Sequence, residues 1–107
     1  MKEMNEDELL ESIERAGEPL VVFLYTPLCG TCKAARRMIE VAEHLLPSEL
    51  QIVAGNVNML PNIVSKYRIS SVPALLILSG DREVDPDVYY SMVSVERVLE
   101  YIRSVTS

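Results

Sequence analysis

Helical spacing and short continuous apolar runs take turns along the chain, and each switch marks a boundary between predicted elements. Leu9, Leu10, Ile13 and Ala16 recur at helical intervals, which predicts a helix over Glu6 to Ala16 stopped by Gly17 and Pro19. Leu20 to Tyr25 is an unbroken apolar and aromatic run, the pattern of a strand covered on both faces. A second helix is expected from about Thr31 to Leu46. It turns Ala35, Met38, Ile39, Ala42, Leu45 and Leu46 inward, exposes Lys33, Arg36, Arg37, Glu40 and Glu43, and ends at Pro47. Gln51 to Val57 reads as a strand, Pro61 to Tyr67 as a short helix with its proline in the first turn, and Ala74 to Ser79 as a third strand. Gly80-Asp81 predicts a hairpin into an edge strand over Glu83 to Tyr90, where Pro86 is tolerated, and Ser94 caps a last helix to about Val105.

The strand-helix-strand unit from Leu20 to Val57 needs a right-handed crossover, which makes its two strands parallel neighbours. Adding the antiparallel hairpin predicts an α/β fold, a four-stranded mixed sheet flanked by helices on both faces, in a single domain over residues 1–107. Cys29 then lies at the carboxyl end of a central strand, where open α/β sheets carry their sites.

Composition narrows the class. At 107 residues and 49% hydrophobic, the chain can bury a real core without covalent staples. Its formal charge of -6 opposes phosphate binding, so no nucleic-acid partner is expected. Much of that charge is local, because Glu3, Glu6, Asp7, Glu8, Glu11, Glu14 and Glu18 face only Lys2 and Arg15 in the first stretch, as on a solvated helix face. Two cysteines close together do not make a secreted scaffold, the residues before the first helix show no apolar run, so no leader is expected, and no segment is long enough to span a membrane. The expectation is a cytoplasmic monomer with no membrane partner.

The chemistry is concentrated in Cys29-Gly30-Thr31-Cys32, at the switch from strand to helix. Two residues between cysteines at a helix start let one sulfur face solvent while the other lies within bridging distance beneath it. Cys29, just before the helix, meets unpaired amides and the positive dipole end, which favour its thiolate. It is the expected attacking sulfur. Opening a substrate disulfide would give a mixed disulfide that Cys32, more buried, resolves into a Cys29 to Cys32 bond, and a separate reductant then restores the dithiol. Gly30 is expected to let the turn close and another chain approach. Lys33, Arg36 and Arg37 crowd the same helix near the cysteines, where Arg36 and Glu40 are spaced for a surface pair. His44, about three turns away, reads as a helix-end cation.

These residues resemble the thioredoxin family. The resemblance rests on the redox turn and Lys33, on Asn56-Val57-Asn58, on Lys66-Tyr67-Arg68-Ile69, and on Ser71-Val72-Pro73-Ala74-Leu75, about forty residues beyond the cysteines. It implies a thioredoxin-like fold, a cis Val72-Pro73 bond facing the disulfide, and extended substrate pairing with the backbone of Val72 beside Gly30, Thr31 and Pro73. Implied partners are disulfide-containing proteins or small thiols and an external reductant, either a thioredoxin-reductase-like flavoprotein or a low-molecular-weight thiol, with no bound cofactor.

Four departures stand out. Phe23 falls where the family has a buried acid, and Ala54 where it has the accompanying lysine, so proton transfer at Cys32 must use water or another group. Tyr25 and Leu28 replace two tryptophans beside the motif. Thr31 replaces the proline inside the turn; one added hydrogen bond to the Cys29 thiolate would raise the potential by roughly 30 to 60 mV, giving a weaker reductant. Two other functions compete. One is a binding or adaptor module that uses the groove beside Pro73 with redox-slow cysteines. The other is a metal shared between two chains, since one cysteine pair supplies half a zinc or iron-sulfur site.

Overall fold

The computed structural model describes residues 1–106. Its elements run β1 (Lys2–Glu3), α1 (Glu6–Glu14), β2 (Leu20–Tyr25), α2 (Gly30–Glu43), β3 (Gln51–Asn56), α3 (Pro61–Tyr67), β4 (Ala74–Leu78), β5 (Asp87–Tyr89) and α4 (Val95–Thr106). The sheet order is β1-β3-β2-β4-β5. β2 and β3 are parallel, as the crossover requires, while β4 runs antiparallel to β2, and β5 antiparallel to β4 at the edge.

The sheet has five strands rather than the expected four. β1 is two exposed residues paired with Val53 and Ala54, and no apolar pattern announces so short an element. Val57 leaves the strand for a 3₁₀ turn over Val57–Met59. α2 ends at Glu43, so Leu45 lies beyond the regular helix and is 55% exposed instead of facing inward; Met38 and Leu46 are only partly buried. The tight hairpin at Gly80-Asp81 is replaced by a longer connection from Ser79 to Pro86, and the edge strand shrinks to Asp87–Tyr89. Arg82 accounts for that connection. Its guanidinium turns back to donate to the carbonyls of Ile13 at 2.8 Å, Arg15 at 3.2 Å, Ser12 at 3.3 Å and Ser79, satisfying the end of α1 that a hairpin would leave bare.

Alternation along the central strands splits the core into two layers. Val21, Phe23, Ala54, Leu75 and Ile77 face α2 and α4, where Cys32, Ala35, Ile39, Val98 and Ile102 meet them. Val22, Leu24, Val53, Ala74 and Leu76 face α1 and α3, against Leu9, Ile13 and Ile63. Gly55 is fixed by that second layer, since a Cβ there would sit 2.7 Å from a Leu60 methyl and 3.2 Å from a Leu9 methyl.

The helix ends are capped by side chains the sequence supplies locally. Asn5 and Glu8 form a reciprocal capping box at the start of α1, with bonds of 2.9 and 3.0 Å, and Ser94 accepts from the Arg97 amide at 3.1 Å to begin α4. α3 has no such cap of its own. The Glu6 carboxylate supplies one from α1, accepting from the amides of Asn62 at 2.9 Å and Ile63 at 3.1 Å.

Candidate active site

β2 delivers the chain to Cys29, which is the N-cap of α2 in extended conformation, as its position before the helical pattern predicts. Its Sγ accepts from the amide of Cys32 at 3.2 Å, and Thr31 Oγ1 lies 3.3 Å away. With Cys29 ionised the hydroxyl is the donor, so two donors and the helix N-terminus converge on one sulfur. Cys32 lies one turn on, 3% exposed, and both cysteines are free thiols.

These environments drive the two thiols apart. The Cys32 thiol foremost, then the Thr31 hydroxyl, hold Cys29 below its ordinary value of 9.0. Burial foremost, then donation to Cys29, pushes Cys32 up to about 11, against smaller opposing effects of the Thr26 backbone and the Arg36 charge. At pH 7.5 a thiol titrating at about 11 is only ~0.03% ionised. Iodoacetamide at that pH therefore modifies Cys29 at least ~100-fold faster than Cys32, read by peptide mass spectrometry; equal rates would contradict the assignment of roles.

Val72-Pro73 is a cis peptide, as the resemblance implies. Leu24 pairs with Ala74, so the carboxyl end of β2 and the start of β4 meet at one sheet end, and Val72 and Cys29 both pack against the core layer that holds Cys32. The redox turn and the Val72-Pro73 segment therefore lie at the same end of the sheet. Gly30 differs from expectation: a Cβ there would meet nothing within 4 Å, so closing the turn does not require glycine. Leu28 is 98% exposed beside the sulfur, an apolar rim in place of an aromatic one.

A cavity of about 170 Å³ opens beside the sulfurs, lined by Tyr25, Thr26, Pro27, Cys29, Cys32, Lys33 and Arg36. A larger hollow of about 470 Å³ lies at the far end of α2, beside His44, and neither cysteine lines it. Arg36 does not pair with Glu40 as its spacing suggests. Its guanidinium reaches Glu3 Oε1 at 3.0 Å and lies over the rings of Tyr25 and Phe23, 4.7 and 5.5 Å from their centroids. The Tyr25 hydroxyl donates to Glu3 Oε2 at 2.9 Å. Glu3 is grouped by sequence with the solvated acidic face of the first helix; it reaches the site because it sits on β1, which no pattern announces.

A thioredoxin family model matches residues 1–103. The chain belongs to the thioredoxin family. It is 36% identical over its whole length to the thioredoxin-like protein YusE of Bacillus subtilis (strain 168), covering 95% of that relative. A thioredoxin of Griffithsia pacifica is 28% identical over 75 residues, which are 70% of this chain and 69% of that one. Among solved structures, chloroplastic thioredoxin z superposes with a TM-score of 0.83 over 98% of this chain and 93% of its own, at 17% identity, a likeness of fold. A thioredoxin-family fold and a Cys-x-x-Cys pair at the helix start are consistent with thiol-disulfide chemistry. Among the described residues no group of three or more His, Cys, Asp or Glu is placed to hold a metal, and no helix is long and apolar enough to cross a membrane.

Proposed function

We propose that this protein is a thiol-disulfide oxidoreductase in which Cys29 attacks and Cys32 resolves. The observation that carries the reading is the convergence of the Cys32 amide, at 3.2 Å, and the Thr31 hydroxyl, at 3.3 Å, on a sulfur at a helix N-cap, with a buried thiol one turn behind. The Cys29 thiolate attacks a substrate disulfide, forming a mixed disulfide and releasing one substrate thiolate. The Cys32 thiolate then attacks Cys29, forming the intramolecular bond and releasing the second. The substrate disulfide is reduced and the protein dithiol oxidised. An external reductant, a flavoprotein reductase or a low-molecular-weight thiol, restores the dithiol. Substrates are disulfide-bearing proteins, held in extended form against Val72 beside Gly30, Thr31 and Pro73, or the disulfides of small thiols, in a cytoplasmic setting.

A second reading, a redox-slow binding module using the groove beside Pro73, is favoured by one observation. Phe23 and Ala54, opposite each other across β2 and β3, are both fully buried, so those positions offer Cys32 no proton acceptor. A trapping experiment separates the two. Cys32→Ser protein exposed to insulin accumulates a Cys29 mixed disulfide, stable until dithiothreitol is added, as read by non-reducing mass spectrometry. Insulin bound without a covalent link would instead support the binding module.

A further inference from the structure

We propose that Arg36 is a positioning residue for the resolving step, clamped by Glu3, Tyr25 and Phe23 so that its charge stabilises the Cys32 thiolate as it attacks the mixed disulfide. The proposal rests on the exchange chemistry proposed above, and it answers the problem that Phe23 creates. A buried thiol that must ionise has an aromatic ring where an acid would help, so whatever assists it has to come from another side. Arg36 is four residues beyond Cys32 on α2, one turn along the same face, and both line the cavity of about 170 Å³.

The clamp is built from three elements. β1 contributes Glu3, which accepts from Arg36 at 3.0 Å; β2 contributes Tyr25 and Phe23, stacked on each other with ring centroids 5.8 Å apart. Tyr25 is half-buried and holds the second carboxylate oxygen of Glu3 at 2.9 Å. A free surface arginine samples many rotamers, and fixing it in advance removes an ordering cost from the attack. Other titratable groups around Cys32 are Cys29, the N-cap of α2, and Lys33 on that helix, with Tyr89 of β5 and Tyr101 of α4 packed on the same core layer. The acid that faces Arg36 is Glu3, which offsets part of the cation's charge. The effect of Arg36 on Cys32 is the smallest of those acting there, so about one pKa unit, the low end of what an adjacent opposite charge achieves, is its upper bound.

The step balances as thiol-disulfide exchange. Cys32 loses a proton to water in the cavity, its sulfur bonds to Cys29, and the bond from Cys29 to the substrate sulfur breaks with the electron pair leaving on the substrate thiolate. A one-unit loss of acidity cuts the thiolate fraction tenfold while raising intrinsic nucleophilicity about threefold, so the net rate at neutral pH falls about threefold.

The test uses whole protein loaded at Cys29 with one equivalent of thionitrobenzoate, the second release at 412 nm timing the Cys32 attack. Arg36→Gln is expected to be slower from pH 6.5 to 8, by up to about threefold, and Arg36→Lys, which keeps the charge, to recover most of the rate. In a Cys29→Ser background, the Cys32 ¹³Cβ resonance followed to pH 10.5 is expected to show a lower thiolate fraction with Arg36→Gln, by up to about tenfold, and one near the parent value with Arg36→Lys. An unchanged titration with Arg36→Gln, or a lysine variant as displaced as the glutamine variant, overturns the proposal. If the wild type itself never releases the second equivalent, the exchange reading fails, while the titration still decides the role of Arg36.

Discussion

Replacing Cys29 with serine lowers insulin-disulfide reduction by at least ~10³-fold, to the background of the free reductant. The expectation follows from the position of the sulfur more than from its identity as a cysteine. Cys29 is the partly exposed N-cap of α2, and the donors around it favour its anion; Cys32 is 3% exposed and pushed up to about 11. Serine in place of Cys29 leaves no accessible thiolate, and the buried thiol cannot take over. The variant should fold normally, because the hydroxyl of serine is itself a favoured N-cap and still accepts from the Cys32 amide. Turnover retained within tenfold would mean that the exchange does not begin at Cys29.

Placing the family's acid at its usual position has the second large effect. Phe23→Asp is expected to destabilise the protein by about 4 kcal/mol or more at pH 7, a drop in melting temperature of roughly 15 to 30 °C, rather than to improve catalysis. Phe23 is fully buried in the layer under α2, stacks on Tyr25 and carries Arg36 at 5.5 Å. Aspartate leaves a void and a carboxylate in apolar surroundings. Burial raises the pKa of such an acid, so the folded state binds the proton more tightly, and the deficit grows as pH rises through and above the unfolded value of ~3.9. Urea midpoints at pH 5 and pH 8 check both size and sign. A variant within 1 kcal/mol of wild type would show that this strand accepts an acid.

Both predictions turn on what local pattern could and could not reveal. The redox turn was legible because one run of sequence, Leu20 to Cys32, carries the strand, the switch and both sulfurs, and each is dictated by its neighbours. The edge placement of Asp87–Tyr89 was legible for a similar reason, since Pro86 announces a strand that need not donate. β1 was not. Lys2 and Glu3 have no burial pattern, and their strand exists only because β3 offers a free edge. Losing β1 from the reading also lost the Glu3 clamp on Arg36. Helix spacing suggested the local pair with Glu40, but the aromatic stack of Phe23 and Tyr25 and an acid 33 residues away are the partners found. The connection from Ser79 to Pro86 was hidden likewise, because Arg82 finds its acceptors on α1, almost seventy residues earlier.

Thr31 joins the sequence reading to the geometry most directly. Its hydroxyl lies within reach of the Cys29 sulfur, the contact expected to stabilise the reduced form relative to a proline-containing turn. The decisive measurement is the thiol-disulfide midpoint of the purified protein in graded glutathione buffers, with alkylation of Cys29 and Cys32 as the readout. The expected result is a reversible two-electron transition between dithiol and a Cys29 to Cys32 bridge, with its midpoint roughly 30 to 60 mV above that of Thr31→Pro. No bridge in any buffer would contradict it.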